Sequence, residues 1–178
     1  MSQRPDLAAA EEFIWLNARL LDRHRFAYLF LGGDGEPVVQ ALRAYQNPDG
    51  GFGHAIEPDL RTPTSQPTGV WAAFEVLDEV GRFDDPMIQR GCDFLASVSA
   101  PDGGAPFVLP TAMAHPRGPW WQTDDNPPGS VVQTGAIVGL LHKHGVEHPW
   151  LGTATEFCWR AAETMEQVSP YQVRFLLP

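Results

Sequence analysis

One short turn sequence occurs twice in this chain, and its repetition limits the folds that are possible. Pro48-Asp49-Gly50-Gly51 returns as Pro101-Asp102-Gly103-Gly104 about fifty residues later. Asp followed by paired glycines suits the tight turn that ends a helix, because glycine adopts positive φ angles at little cost. A turn that recurs at an interval of this size is typical of repeat architectures. The chain is therefore predicted to consist of stacked units.

Apolar residues near a 3.6-residue spacing predict that these units are helical. The third and fifth predicted helices are apolar on nearly all sides, which is typical of buried helices, whereas the second, fourth and sixth are amphipathic. A long polar loop precedes each of the two buried helices, and 171–178 resembles the opening of a further helix. The six predicted helices cover residues 8–31, 36–48, 68–80, 86–98, 130–144 and 153–167.

The alternation of buried and amphipathic helices predicts an all-α fold of paired inner and outer helices, in a single domain over residues 1–178. Such pairs form an α/α toroid when they close into a ring and a solenoid when they stack openly. The few pairs in this chain would make about half of an α/α toroid. Because a partial ring exposes apolar surface, we expect a homo-oligomer that covers the open edge.

Composition excludes several classes of partner. The formal net charge is -10 and Lys143 is the only lysine, so no clustered basic face is expected and nucleic acid is excluded as a partner. No apolar run is long enough to span a membrane, and the chain is expected to be soluble and cytoplasmic. Cys92 and Cys158 are far apart and lack metal-site spacing, which favours buried free thiols over a disulfide or a zinc site.

Two helix ends carry a common pattern of residues. One reads Leu42-x3-Gln46-x3-Gly50-x-Phe52, and the other reads Arg90-Gly91-x2-Phe94-Leu95-x3-Ser99-x3-Gly103-x-Ala105. In this pattern a glutamine bonds the backbone at a helix end, and an aromatic ring stacks across the turn to fix the helix to its neighbour. The pattern resembles the QW motif of the terpenoid cyclase and protein prenyltransferase β-subunit superfamily of α/α toroids, which includes squalene-hopene cyclase-like proteins. Ser99 replaces the glutamine of the motif, and Phe52 and Ala105 replace its tryptophan.

The resemblance implies a terpenoid cyclase-like or prenyltransferase-like protein that acts on an isoprenoid, a hydrophobic small molecule, in an aromatic-lined cavity. The Asp-x-Asp-Asp motif of cyclases that protonate an alkene is absent, and Glu57-Pro58-Asp59 is its nearest trace. The Asp-Asp-x-x-Asp motif is also incomplete, because Asp124-Asp125-Asn126-Pro127-Pro128 lacks its last aspartate. The prenyltransferase set of zinc ligands is not recognisable either, so we expect neither a metal nor a cofactor.

Four carboxylates are candidate catalytic acids: Glu57 and Asp59 in one long loop, and Asp124 and Asp125 in the other. Both loops lead into a buried helix, so the four residues are expected to share one rim of the fold. Burial there would raise a carboxyl pKa and allow it to act as a general acid. The alternative is that these residues only cap the helices and balance the helix dipole.

Aromatic residues near the same loops are candidates for binding substrate. Their π faces stabilise a carbocation in a cyclase, and Arg61 and Gln66 would add polar contacts. Core packing is the alternative for the aromatic residues, above all for the tryptophan on the buried helix. Exposed tryptophans also stack on sugars, so a second hypothesis is a carbohydrate-active α/α barrel with a carboxylate pair. A third is a non-catalytic toroid fragment that binds a protein or a ligand. The aromatic candidates are Phe52, Trp71, Phe107, Trp120 and Trp121.

His142-Lys143-His144 and His148 form the one histidine-rich segment. Two of its histidines fall on different sides of a helix end, and cations at that end are favoured by the helix dipole. The spacing matches no ligand motif, so we predict no metal here.

Overall fold

The computed structural model describes residues 6–164, and seven α-helices lie in this range. A short 3-10 helix spans Pro110–Ala114, and between residues 6 and 164 there are isolated β-bridges but no strand. The predicted all-α fold is confirmed. The helices are α1 (Leu7–Asn17), α2 (Leu20–Leu31), α3 (Glu36–Arg43), α4 (Pro67–Glu79), α5 (Met87–Val98), α6 (Val131–Lys143) and α7 (Pro149–Thr164).

The helices pack in two rows. The apolar helices α4 and α6 contact each other, and the amphipathic helices α5 and α7 also contact each other. Contacts of α4 with α5 and of α6 with α7 join the rows, and α2 packs on α3. The main apolar core lies between the rows, where Phe74 and Leu77 of α4 and Ile137 of α6 are fully buried.

The repeated turns explain how each helix of the amphipathic row meets the next. Gly50 has φ 89°, and a Cβ atom there would lie 2.2 Å from the carbonyl oxygen of Arg90 on α5. Gly103 has φ 91°, and its Cβ would lie 2.9 Å from the carbonyl oxygen of Thr153 on α7. Each turn thus presses its backbone against the following helix, and only glycine allows this approach.

Gln46 fixes the first of these turns by hydrogen bonds within the turn and to the start of α5. Its Nε2 donates to the carbonyl oxygens of Gly50 at 2.9 Å and of Met87 at 3.2 Å, and its Oε1 accepts a hydrogen bond from Arg90. In the second unit Ser99 stands at the glutamine position, and its Oγ accepts a bond of 2.7 Å from Trp150 Nε1. Both residues therefore tie a helix end to the next helix of the row.

The predicted first helix, 8–31, was wrong, because this segment forms two helices. Ala18 and Arg19 have extended backbones, with ψ angles of 158° and 157°, and they separate α1 from α2. The Arg19 side chain bonds the carbonyl oxygens of Ala55 and Ile56 in a distant loop. Periodicity within the segment cannot reveal this tertiary contact.

Two other helix boundaries also differ from the prediction. Helix α3 ends at Arg43 instead of residue 48, because Gln46 leaves the helix to pair with Phe52 in an isolated bridge. Helix α7 begins at Pro149 instead of residue 153, since proline is well tolerated in the first helical turn. The predicted end of this helix at 167 and the segment 171–178 lie outside the described residues.

The remaining three helices follow the prediction to within one residue at each end. Cys92 is buried, Cys158 is half-buried, and both are free thiols. Burial raises the pKa of Cys92 to about 12 and that of Cys158 to about 11, so neither thiol ionises near neutral pH.

Helices α1 and α2 carry exposed apolar side chains. Helix α1 contains no buried residue, and Phe13 and Leu16 are 64% and 72% exposed. Leu20 and Phe30 of α2 are each 58% exposed. None of the helices between residues 6 and 164 has both the length and the apolar character needed to cross a membrane.

Candidate functional site

The two long loops that precede α4 and α6 meet and form one surface. The Gly118 amide donates to the Asp59 carbonyl oxygen at 2.8 Å, and the Arg61 amide donates to that of Pro116 at 3.0 Å. A second, smaller apolar cluster lies beneath this junction. Its buried members are Leu60, Val108, Ala112 and Trp121.

Trp121 holds the carboxylate of Asp59. Its Nε1 donates to Asp59 Oδ1 at 2.7 Å, and its ring stacks on Phe107 at 4.7 Å between centroids. The tryptophan is only 6% exposed, so the packed ring fixes the direction of the donor. The orientation of Asp59 is therefore set by a residue 62 positions along the chain.

Glu57 lies half-buried beside Asp59, and its pKa is raised. Burial is the largest cause, and the negative charge of Asp59 and a hydrogen bond with it act in the same direction. The positive charge of Arg19 opposes these effects, and Glu75 adds to them weakly. Two neighbouring carboxyls, one of which retains its proton to higher pH, form an arrangement suited to donating that proton.

A small cavity lies next to Glu57. Phe52, Thr62, Gln66 and Thr68 contribute to the walls of a cavity of about 10 Å³. This is roughly the volume that one water molecule needs. This cavity is therefore too small for a larger molecule.

The backbone just before Glu57 is strained. His54 and Ala55 have φ angles of 56° and 57°, in the left-handed region that residues other than glycine seldom adopt. Each such residue costs about 1–2 kcal/mol. Two consecutive strained residues next to a carboxyl of raised pKa mark this loop as a functional candidate.

The structure places Gln66 and Phe52 inside the fold. Gln66 is 1% exposed; its Nε2 donates to Thr111 Oγ1 at 2.9 Å, and its Oε1 accepts from the Leu109 amide at 2.8 Å. Phe52 is fully buried and accepts a backbone bond of 2.9 Å from Gln66. Gln66 thus joins the first loop to the second, and Phe52 joins the first loop to the segment that follows α3.

The other predicted binding residues differ in their exposure. Arg61 is exposed on the loop surface, and Trp71 is half-buried and packs against the main core. Trp120 is 60% exposed, whereas its neighbour Trp121 is buried. Of the adjacent tryptophans, only Trp120 presents its ring to solvent.

Asp124 and Asp125 are exposed, and among residues 6–164 no hydrogen bond or ion pair joins them to Glu57 or Asp59. None of the four carboxylates caps a buried helix. Ser130 is the N-cap of α6 and accepts from the Gln133 amide at 3.3 Å, and the N-cap of α4 is Gln66, which makes no side-chain cap bond. Helix capping by these carboxylates is therefore wrong, whereas balancing of the helix dipole stays a prediction.

Sequence reasoning missed Arg19 as a member of this site. Its Nη1 donates to the carbonyl oxygens of Ala55 at 2.7 Å and Ile56 at 3.0 Å, and it also pairs with Asp22. The available signal was the length of the predicted segment 8–31, because typical globular helices run to about 20 residues. A predicted break in that segment would have placed Arg19 at a junction between two helices.

The histidine-rich segment does not gather around one point. His142 bonds with Thr155 Oγ1 at 2.9 Å, His144 donates to Asp78 at 2.6 Å, and His148 donates to Asp93 at 3.2 Å. Within the described range, no group of three or more His, Cys, Asp or Glu side chains is arranged to hold a metal ion.

Comparison of the chain with protein-family models, with curated proteins and with solved structures finds no match. The resemblance to terpenoid cyclases and prenyltransferases therefore rests on the residues of the two helix-end patterns and stays a prediction.

Proposed function

We propose that this chain carries the general-acid centre of a terpenoid cyclase-like protein and that Glu57 is the proton donor. The observation that supports the proposal is the pairing of half-buried Glu57, whose pKa is raised, with Asp59, which Trp121 holds in place. A desolvated carboxyl keeps its proton to higher pH, so it is available as a general acid closer to neutral pH.

In the proposed step, the Glu57 proton is transferred to one carbon of an isoprenoid double bond. The π electrons of that bond form the new C–H bond, the other carbon becomes a carbocation, and Glu57 becomes a carboxylate beside Asp59. Aromatic faces stabilise such a cation. Trp120 is the exposed aromatic residue on the same loop as Trp121 and is proposed to lie against the substrate.

The proposal fits the local geometry of the fold. Glu57 and Asp59 precede α4, one of the two adjacent apolar helices that would line the interior of a toroid. The α/α toroid and a prenyltransferase-like variant of the activity belong to this same proposal, as does the predicted cytoplasmic location.

A test compares purified wild-type protein with three variants on acyclic isoprenoid hydrocarbons, alcohols and diphosphates. Cyclised products are detected by gas chromatography with mass spectrometry. E57Q should lower the rate at least about a hundredfold, because general acids contribute roughly 10²–10⁴ in rate. D59N should lower it less, and E12Q, an exposed carboxylate on α1, should leave it unchanged.

Product formation that survives in E57Q and is lost in D124N would transfer the acid role to the second loop. If wild-type protein forms no product from any isoprenoid, the proposed function is wrong.

A carbohydrate-active enzyme is the second candidate, and the exposed ring of Trp120 favours it as a platform for a sugar. The carboxylate pair argues against it. Glycosidase carboxyls lie about 5–9.5 Å apart on either side of the bond that breaks, whereas Glu57 and Asp59 are neighbours on one loop. Release of reducing sugar from an oligosaccharide panel, lost in E57Q, would support this candidate over the first.

A non-catalytic binding role is the third candidate, and the exposed apolar side chains of α1 and α2 favour it. A homo-oligomer that buries this face would fit that role. Sedimentation velocity on the wild type and on the double variant F13S/L16S separates the outcomes. Association that is lost in the double variant supports a homo-oligomer, and monomers at all concentrations rule it out.

A further inference from the structure

Arg19 connects the junction between α1 and α2 to the strained loop. Its Nη1 contacts two successive carbonyl oxygens, those of Ala55 and Ile56, at 2.7 and 3.0 Å. These carbonyls belong to the second strained residue and to the residue directly before Glu57. The guanidinium therefore holds the backbone where the chain leaves its left-handed conformation.

The guanidinium is itself fixed in place. Its Nε donates to Asp22 Oδ2 at 2.7 Å and its Nη2 donates to Oδ1 at 3.2 Å, so the planar group is oriented before it reaches the loop. It also lies over the ring of Tyr45, 5.9 Å from the centroid. A guanidinium can donate to Asp22 and to the two loop carbonyls at once, which the single ammonium group of a lysine cannot do in this geometry.

A second contact holds the other end of the strained pair. His54 Nε2 donates to Asn47 Oδ1 at 2.9 Å, and Asn47 Nδ2 donates to Ser65 Oγ at 2.9 Å. The left-handed conformation persists because contacts on both sides support it. Of the two sides, only the Arg19 side brings a charge close to Glu57.

We propose that Arg19 is a positioning residue that holds the strained His54–Ala55 backbone and thereby sets the place and the charge environment of the Glu57 carboxyl. Three charged groups act on that carboxyl: Arg19 from the α1–α2 junction, Asp59 from its own loop and Glu75 from α4. Arg19 is the positive group among them and favours the ionised form, against the effect of burial. The proposal deepens the proposed function and rests on it only for what the acid does.

The test uses R19Q and R19K, with R23Q as the matched control. Arg23 lies near the same junction, where its Nε donates to the Ala18 carbonyl oxygen at 2.8 Å. The two readouts are amide hydrogen exchange of residues 53–61 relative to α4, and the pH titration of the ¹³C-labelled Glu57 carboxyl. Dividing the exchange rates of the loop by those of α4 corrects for any general loss of stability in the variant.

In R19Q, relative exchange in the loop should rise at least about tenfold, and the pKa of Glu57 should move further upward because the opposing positive charge is lost. In R19K the charge stays near, so the exchange should rise while the Glu57 titration changes less. A55G should partly restore slow exchange in R19Q, because glycine adopts φ 57° without strain.

The proposal is overturned if R19Q matches R23Q in both readouts, or if A55G leaves loop exchange in R19Q unchanged. Its fate is separate from that of the proposed function. Altered Glu57 titration in R19Q without any isoprenoid product leaves Arg19 as a positioning residue of an acid with another task. Cyclised product together with R19Q behaviour identical to R23Q keeps the function and removes the role of Arg19.

Discussion

At the scale of single residues, Glu57 differs from the other carboxylates in its surroundings. It is half-buried, it faces Asp59, and its pKa is raised chiefly by burial. Its unfolded form has the ordinary pKa near 4.5. Above its folded pKa, the charged carboxylate is less favourable in the folded protein than in the unfolded chain, so it subtracts from stability. Below the ordinary value, Glu57 is protonated in both states and the penalty disappears.

We therefore expect E57Q to be more stable than the wild type at neutral pH. The difference in the free energy of unfolding should shrink as the pH falls through the folded pKa to the ordinary value, because the glutamine never ionises. Urea unfolding at a series of pH values measures it, with E12Q as the exposed control that should parallel the wild type. If the free energy of unfolding of the wild type rose relative to that of E57Q as pH increased, the raised pKa of Glu57 would be contradicted.

Asp78 shows the opposite balance at the other end of α4. Burial opposes its ionised form, but hydrogen bonds from Lys143 and His144 prevail and lower the pKa of Asp78. Its contribution to stability is present above the ordinary aspartate pKa and is lost as pH falls through the lowered value. Because Lys143 is largely exposed, the contribution is small, about 0.2–1 kcal/mol.

At the scale of elements, the repeated turns determine how α3, α5 and α7 follow one another. The backbone of Gly50 touches α5 and that of Gly103 touches α7, whereas Gly81, after α4, also has a positive φ of 65° but faces open space. Glycine is therefore needed at the repeated turns for two reasons: the positive φ angle, and the close approach of the turn to the next helix. Gly81 has only the first.

We expect G50A to destabilise the protein by about 2–5 kcal/mol, through positive-φ strain together with overpacking against the Arg90 carbonyl. G81A should lose only the strain component, about 1–2 kcal/mol. Chemical unfolding of both variants provides the comparison. Equal losses would show that the turn does not press against α5.

The boundaries of α4, α5 and α6 could be predicted because local signals determine them. An apolar run, a preceding proline or serine and a following glycine lie within a few residues of each helix end. The break between α1 and α2 depends instead on Arg19 reaching Ala55, 36 positions away. The periodicity of residues 8–31 contains no sign of this contact, so it predicts a single helix.

In the candidate site, too, local patterns predicted some features, whereas others depend on tertiary contacts. Polar loops before buried helices pointed to Glu57 and Asp59 as candidate acids, and the structure brings these two together. Asp124 and Asp125 matched the same local pattern, yet they lie exposed. Asp59 is bonded by Trp121, a tertiary contact that no local pattern shows. Gln66 reads as a polar loop residue but is buried by its bonds to the second loop.

At the scale of the whole molecule, the acid pair and its neighbours come from three distant segments. The α1–α2 junction supplies Arg19, the loop before α4 supplies Glu57 and Asp59, and the loop before α6 supplies Trp121. The contact between α4 and α6 brings the two loops to one surface. The acid character of Glu57 is thus a property of the folded molecule, because no single segment provides all of its neighbours.

The most direct measurement of this claim is the titration of the Glu57 side-chain carboxyl by ¹³C NMR in the folded wild type, in D59N and in D124N, with E57Q to assign the signal. Glu57 should titrate above 4.5 in the wild type. D59N should lower this pKa, since a neighbouring negative charge is removed, and D124N should leave it unchanged. A Glu57 carboxyl that titrates at or below 4.5, or that responds to D124N and not to D59N, would contradict the acid centre.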